Sequence, residues 1–210
     1  EGPGKVILSG AAPNTYTGTT WFKKGDAECR KTAAHGAIPG PLVVGDSDTN
    51  AQVYVELTLT NLPQINALAP VVLHKLGMLR PKGDGEETLG SLAGEGLILF
   101  GIETNATALL IGGNNASTTF NGHLSSFNRG LRLAKRGSGQ LTLGDEAYLA
   151  LQQENVWTVE AGTLCVNGRM SYGDLRVLPG ATLSGSGELP SVTVSGGRLA
   201  PGDGPGGRTG

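Results

Sequence analysis

Apolar and polar residues alternate along this chain in short runs closed by glycine or asparagine, which predicts many brief strands and no long helix. The clearest register lies between Gly139 and Gly202. There "WTVEAGTL", "LRVLPGATL" and "VTVSGGRL" bring Val159, Val177 and Val194 round at nearly equal steps. Gly162, Gly180 and Gly197 each follow three positions later, with Leu164, Leu183 and Leu199 as the next apolar anchors. "QLTLG", with Leu141 and Leu143, extends the series backward by about the same interval. A step this short describes a coil rather than a domain, and one coil cannot bury its apolar side alone, so neighbours have to stack. Val159, Val177 and Val194 are therefore expected to stand in one vertical file.

Earlier in the chain, "GKVILSG" at Gly4 to Gly10 reads as a short buried strand between turns, and "NTYTGTTWF" at Asn14 to Phe22 as a pleated one. Lys23 to Gly40 breaks the pattern, and reads as a decorated loop or a short helical excursion around Ala27 to Ala34. "PLVVG" resumes it, and in "VYVELTLT" the side chains of Val53, Val55, Leu57 and Leu59 face one way and Tyr54, Glu56 and Thr58 the other, the longest strand expected. Pro63 and Pro70 exclude a long helix through the apolar stretch that follows, leaving Val71 to Leu73 and Met78 to Leu79 as strands about a Gly77 turn. Beyond "KGDGEE" the strands shorten to three to five residues.

Composition supports this reading. Among 210 residues, 35 are glycine, 16% are charged and 5% aromatic, a chain of turns and short strands. The apolar share of 38% is too high for a disordered glycine-rich linker. The fold class is all-β, a single parallel β-helix over residues 1–210, long enough for eight to twelve coils. The chain begins mid-pattern and ends on a turn-rich "PGDGPGGRTG", so it reads as a piece of a longer repeat protein with raw apolar ends. No apolar run is long enough to cross a bilayer as a helix, so this segment is not expected to insert in a membrane. A net charge of −2, with both signs interspersed, disfavours nucleic acid; Lys23–Lys24, Arg30–Lys31 and Lys135–Arg136 read as solvated turns. Cys29 and Cys165 are too far apart along a solenoid to bridge, and are expected as free, buried or partly buried thiols.

The motifs "GKVILSGAAPNTYTGTTW", "KTAAHGAIPGPLVVGD", "LGSLAGEGLILFG", "LLIGGNNASTTFNGHLS", "KRGSGQLTLG", "WTVEAGTLCVNG" and "GGRLAPGDGPG" stand in the order seen in one family. On them the chain resembles the autotransporter-associated β-strand repeat of bacterial passenger regions and large surface proteins. The resemblance implies a right-handed parallel β-helix that is exported and displayed at, or released from, the cell surface, with no catalytic residues. "WFKKGDAECR" and "QQENVW" depart from the family pattern.

The sequence nominates no catalytic, cofactor-binding or metal-ligating residue. Asp46, Asp48, Asp84, Asp145, Asp174 and Asp203 all sit beside glycine or serine and are expected in turns, where an aspartate bonds its own backbone. "GDSDTN" begins like a calcium loop, but Ala51 replaces its glycine and Leu57 its bidentate glutamate, which excludes an EF-hand and leaves a looser calcium turn at Asp46 and Asp48 open. "GDGPGG" and "GSG" lack the Lys-Ser/Thr of a phosphate loop, and His35, His74 and His123 lack metal spacing. The sequons at Asn105 and Asn115 matter only in a eukaryotic secretory host. Tyr16, Trp21, Phe22 and Trp157 would form a glycan-stacking patch if coils brought them to one face; the alternative is that Phe22 and Trp157 cap the core at strand ends.

Three functions follow from this reading: a display stalk on an exported bacterial surface protein, partnered by flanking coils of the same polypeptide; a self-associating or glycan-binding adhesin segment; and a carbohydrate-active enzyme. The third would be marked by carboxylates aligned on one face about 5 to 10 Å apart.

Overall fold

In the computed structural model, residues 4–48, 51–101, 107–127 and 129–202 are described, and among them there are strands and turns but no α-helix. The first turns use two strands each. β1 (Lys5–Gly10), β2 (Thr20–Phe22), β3 (Gly25–Lys31), β4 (Leu42–Val44), β5 (Val53–Thr60) and β6 (Pro70–Leu73) alternate between two walls, and β7 (Gly77–Leu89) follows. From β7 onward a third wall appears. The chain then visits the three walls in turn with β8 (Ser91–Gly94), β9 (Leu97–Phe100), β10 (Thr107–Ile111), β11 (Thr118–Phe120), β12 (His123–Ser126), β13 (Arg132–Lys135) and β14 (Gln140–Leu143). The last turns hold β15 (Tyr148–Ala150), β16 (Val156–Val159), β17 (Thr163–Val166), β18 (Arg169–Met170), β19 (Asp174–Val177), β20 (Thr182–Gly185), β21 (Ser191–Val194) and β22 (Arg198–Pro201).

Every strand pairs in parallel with the strand one turn away, which makes the molecule a β-solenoid. One wall is the nine-stranded sheet β2-β4-β6-β8-β11-β14-β17-β20-β22. At about 4.8 Å per strand this wall is roughly 40 Å long. The second wall runs β1-β3-β5-β7-β9-β12-β15-β18, and the third β7-β10-β13-β16-β19-β21. β7 belongs to both, because it bends between them.

That bend overturns two sequence expectations. β7 has 13 residues, so it, and not the eight-residue β5, is the longest strand, and "KGDGEE" lies inside it instead of closing it. Gly83 (φ 94°) and Gly85 (φ 126°) take the left-handed backbone there, and a Cβ on Gly83 would collide with the Leu59 carbonyl. Turn-like composition thus marks a corner that leaves the pairing unbroken.

The Lys23 to Gly40 break is neither a helix nor wholly a loop. β3 runs through it, with Ala27 and Cys29 buried between charged neighbours that face outward. Its charge hid a strand whose inward residues are small. Asn14 to Phe22 yields only the three-residue β2, preceded by irregular chain.

The interior is one continuous apolar cluster, mostly leucine, valine and isoleucine, with Phe100, Phe120 and Trp157 as its largest members. Val159, Val177 and Val194 are direct register partners on β16, β19 and β21, the vertical file expected. Leu141, Leu164, Leu183 and Leu199 form a second file on the nine-stranded wall. Leu141 and Leu143 therefore do not precede Val159. The residue above Val159 is Lys135, and above it stands Ile111. At both Gly162 (φ 65°) and Gly180 (φ 79°) the chain turns from the valine file toward the leucine file.

Candidate functional site

Alternation in β3 and β5 turns Glu28 and Glu56 outward on adjacent strands, where they are register partners about 4.8 Å apart. Two carboxylates on one outer face are the arrangement in which a carbohydrate-active enzyme is sought. The chemistry around the two carboxylates differs. Lys5 Nζ lies 2.7 Å and Arg30 3.6 Å from Glu28; Arg80 lies 3.4 Å and Lys82 3.6 Å from Glu56. Tyr54 donates its hydroxyl to Glu56 at 3.1 Å and accepts from Arg80 at 3.0 Å. The hydrogen bond from Lys5 holds the Glu28 carboxyl below its usual range, the wrong sense for a group that must donate a proton. The arrangement is a lattice of ion pairs binding four strands together along one outer wall.

Of the aspartates read as turn residues, Asp46 bonds the backbone of its own loop. Asp46 accepts from the Asp48 amide at 3.2 Å and lies 3.9 Å from Lys23; the rest of that loop, Thr49 and Asn50, lies outside the described residues. Asp84 and Asp174 lie in strands β7 and β19 and not in turns; Asp174 pairs with Arg176 at 2.7 Å, Asp84 and Asp145 are exposed, and Asp203 and the sequon Asn105 fall outside the described residues. Asn115 accepts from the Ser138 amide one turn below. His35 bonds the Ile65 carbonyl, and His123 meets the Tyr148 ring edge-on at 6.0 Å. Among the described residues no group of three or more His, Cys, Asp or Glu could hold a metal ion. Cys29 and Cys165 are both free and buried, and burial, first among the causes, pushes the Cys29 thiol up to about 12. No described helix is long and apolar enough to cross a membrane.

The aromatic residues do not gather. Tyr16 and Trp21 are exposed, and Lys23 lies 3.9 Å over the Trp21 ring, occupying a face that a sugar would need. Phe22 ends β2 and packs against the core, whereas Trp157 lies inside it, between Leu133 and Leu175. "QQENVW" makes a turn closed by the fully buried Asn155, whose side chain accepts from the Gln152 amide at 2.8 Å.

Sequence reasoning missed the polar groups inside the column. Lys135 is 1% exposed rather than solvated, because it occupies an inward position on β13. Its ammonium donates to the carbonyls of Arg136, Gly137 and Ala161 at 2.6, 2.9 and 3.3 Å, and burial pushes it down to about 8. Glu87 and Gln64 are fully buried near β7. The signal was present in "LRLAK" and "EETL": once strand register is known, Lys135 and Glu87 fall on the apolar parity of their strands.

A model of the passenger-associated-transport-repeat family matches residues 1–25, the stretch that forms β1 and β2 and reaches the first residue of β3. That match and the parallel solenoid fit an autotransporter passenger repeat. No curated protein and no solved structure matches the chain.

Proposed function

We propose that this chain is a rigid display segment in the passenger region of an exported bacterial surface protein, acting mechanically and not as a catalyst. The observation that carries the reading is the unbroken parallel ladder over a continuous aliphatic interior, in a chain that opens on a passenger repeat. Each turn contacts mainly its neighbours, so stiffness accumulates along the axis and turns can add one at a time as chain emerges. The ion-pair lattice at Glu28 and Glu56 reinforces the outer wall, and the Lys5 hydrogen bond holds the Glu28 carboxyl below its usual range.

The test is an epitope inserted at the exposed turn around Asp145 in the parent protein, followed by protease treatment of intact cells. Loss of the epitope from intact cells is expected. An epitope that is cleaved only after lysis overturns the reading.

A self-associating role is favoured by one feature: the outermost described strands carry exposed aliphatics, Val6 and Ile7 on β1, Val194 on β21 and Leu199 on β22. Such strands can accept a further coil or another copy. Sedimentation of the chain at rising concentration separates the readings, since a spacer stays monomeric and a self-stacking segment grows.

A further inference from the structure

Glu87 faces inward from the second half of β7, directly above Leu109. The rest of that file, Leu109, Leu133, Trp157, Leu175 and Val192, is apolar. It stands where the cross-section changes. Turns before β7 have two strands, and there the segment 61–66 closes the side that β10 and its successors close below. The two carboxyl oxygens accept from the amides of Gln64 at 2.8 Å and Ile65 at 3.2 Å. The Gln64 carboxamide continues the link, accepting from the Lys31 amide at 2.8 Å and donating to the Lys31 carbonyl at 3.0 Å. Two side chains, Glu87 and Gln64, therefore tie β7, through the segment 61–66, to the end of β3.

We propose that Glu87 is a pH-sensitive latch that holds the segment 61–66 on the interior, tightest in acid and loosening as the solution turns alkaline.

The groups facing the carboxyl are few. β3 presents the Cys29 thiol, β10 presents Leu109, and the segment itself presents Gln64 and Ile65. Lys31 sends its ammonium outward to the Ala12 carbonyl, Glu28 lies on the outer wall, and Lys135 is held by its three carbonyls two strands further on. Among the described residues the carboxyl thus meets amide donors without a facing cation. Burial outweighs the amides of Gln64, Ile65 and Thr88, and pushes it up to about 8 from an ordinary 4.5. Between those two values the closed form keeps a proton that the open, hydrated form has lost. Its stabilisation is complete below about 4.5 and is lost as pH rises through about 8. Ionised inside, the carboxylate needs water, and the segment that lies over it, with Asn61 exposed at its edge, is what can lift to admit water.

The experiment is hydrogen exchange on the intact chain from pH 5 to 9.5, normalised for intrinsic exchange. Protection of the peptide spanning 61–67 should fall by up to about tenfold per pH unit between pH 5 and 8 and level off above, while the peptide spanning 163–170 holds. In Glu87→Gln, which keeps a hydrogen-bonding head of the same size, the 61–67 profile should become flat. Should the variant not fold, the wild-type profile decides alone. Protection at 61–67 that ignores pH, or a pH dependence that survives in Glu87→Gln, overturns the latch.

Discussion

Lys135 lies one strand above Val159 in the same inward file, so an ammonium occupies in one turn the position that an isopropyl group fills in the next. The position accepts a lysine because the adjoining turn offers the carbonyls of Arg136, Gly137 and Ala161. The stem fills the file and the head closes the turn.

Lys135→Met keeps the stem and removes the donor, stranding three carbonyls, and is expected to cost about 1–3 kcal/mol at pH 7. Between the lowered value of about 8 and the ordinary 10.5, the unfolded chain holds a proton that the folded one has released, so wild-type stability gains as pH rises through that window. The methionine variant lacks this gain. Urea unfolding of both at pH 7 and pH 10 checks it: the gap between them should widen at pH 10.

Val177 and Val194 occupy successive places in one file, yet Val177 is fully buried and Val194 is 39% exposed. Val177→Ala should cost about 1–3 kcal/mol, from two methyl groups and the void they leave, and Val194→Ala less than about 1 kcal/mol. Equal losses in chemical denaturation would show that the file does not govern stability.

Gly85 cannot take a side chain easily, because its backbone is left-handed and a Cβ would come within 3.0 Å of Asn61 Cα. Gly85→Ala should lower stability by about 1–3 kcal/mol, whereas Gly4→Ala, which meets nothing within 4 Å, should be near neutral. Thermal melting of the two variants is the measurement.

Trp157 is the largest fully buried side chain, and its indole Nε1 has no hydrogen-bond partner among the described residues. Trp157→Phe gives up volume but also removes that unpaired donor, so it should cost far less than Trp157→Ala, for which about 3–5 kcal/mol is expected. Calorimetry of the pair would separate packing from the stranded donor.

The parts of the fold that were legible share one property: apolar residues recur there at a nearly constant step. Val159, Val177 and Val194 could be aligned by counting, and Val53 to Leu59 by alternation. Counting failed at Leu141, because the preceding turn is longer than those after it and the true partner of Val159 is a lysine. It failed at β3, where inward alanine and cysteine give a weak apolar signal beside four charged residues. The facing carboxylates Glu28 and Glu56 were also hidden, since they are distant in sequence and only the closing of a turn makes them neighbours in space.

The sequence by itself determined that this chain makes short strands, that their apolar sides demand stacked neighbours, and that its glycines mark corners. Those features depend on nearby residues, and local chemistry is enough to specify them. Only the tertiary structure decided that β7 turns a corner without ending, that the column gains a third wall there, and that Glu87 and Lys135 lie inside it. The physical reason is that facing depends on the register between turns, and a shift of one residue moves a side chain from solvent to core without altering its own sequence.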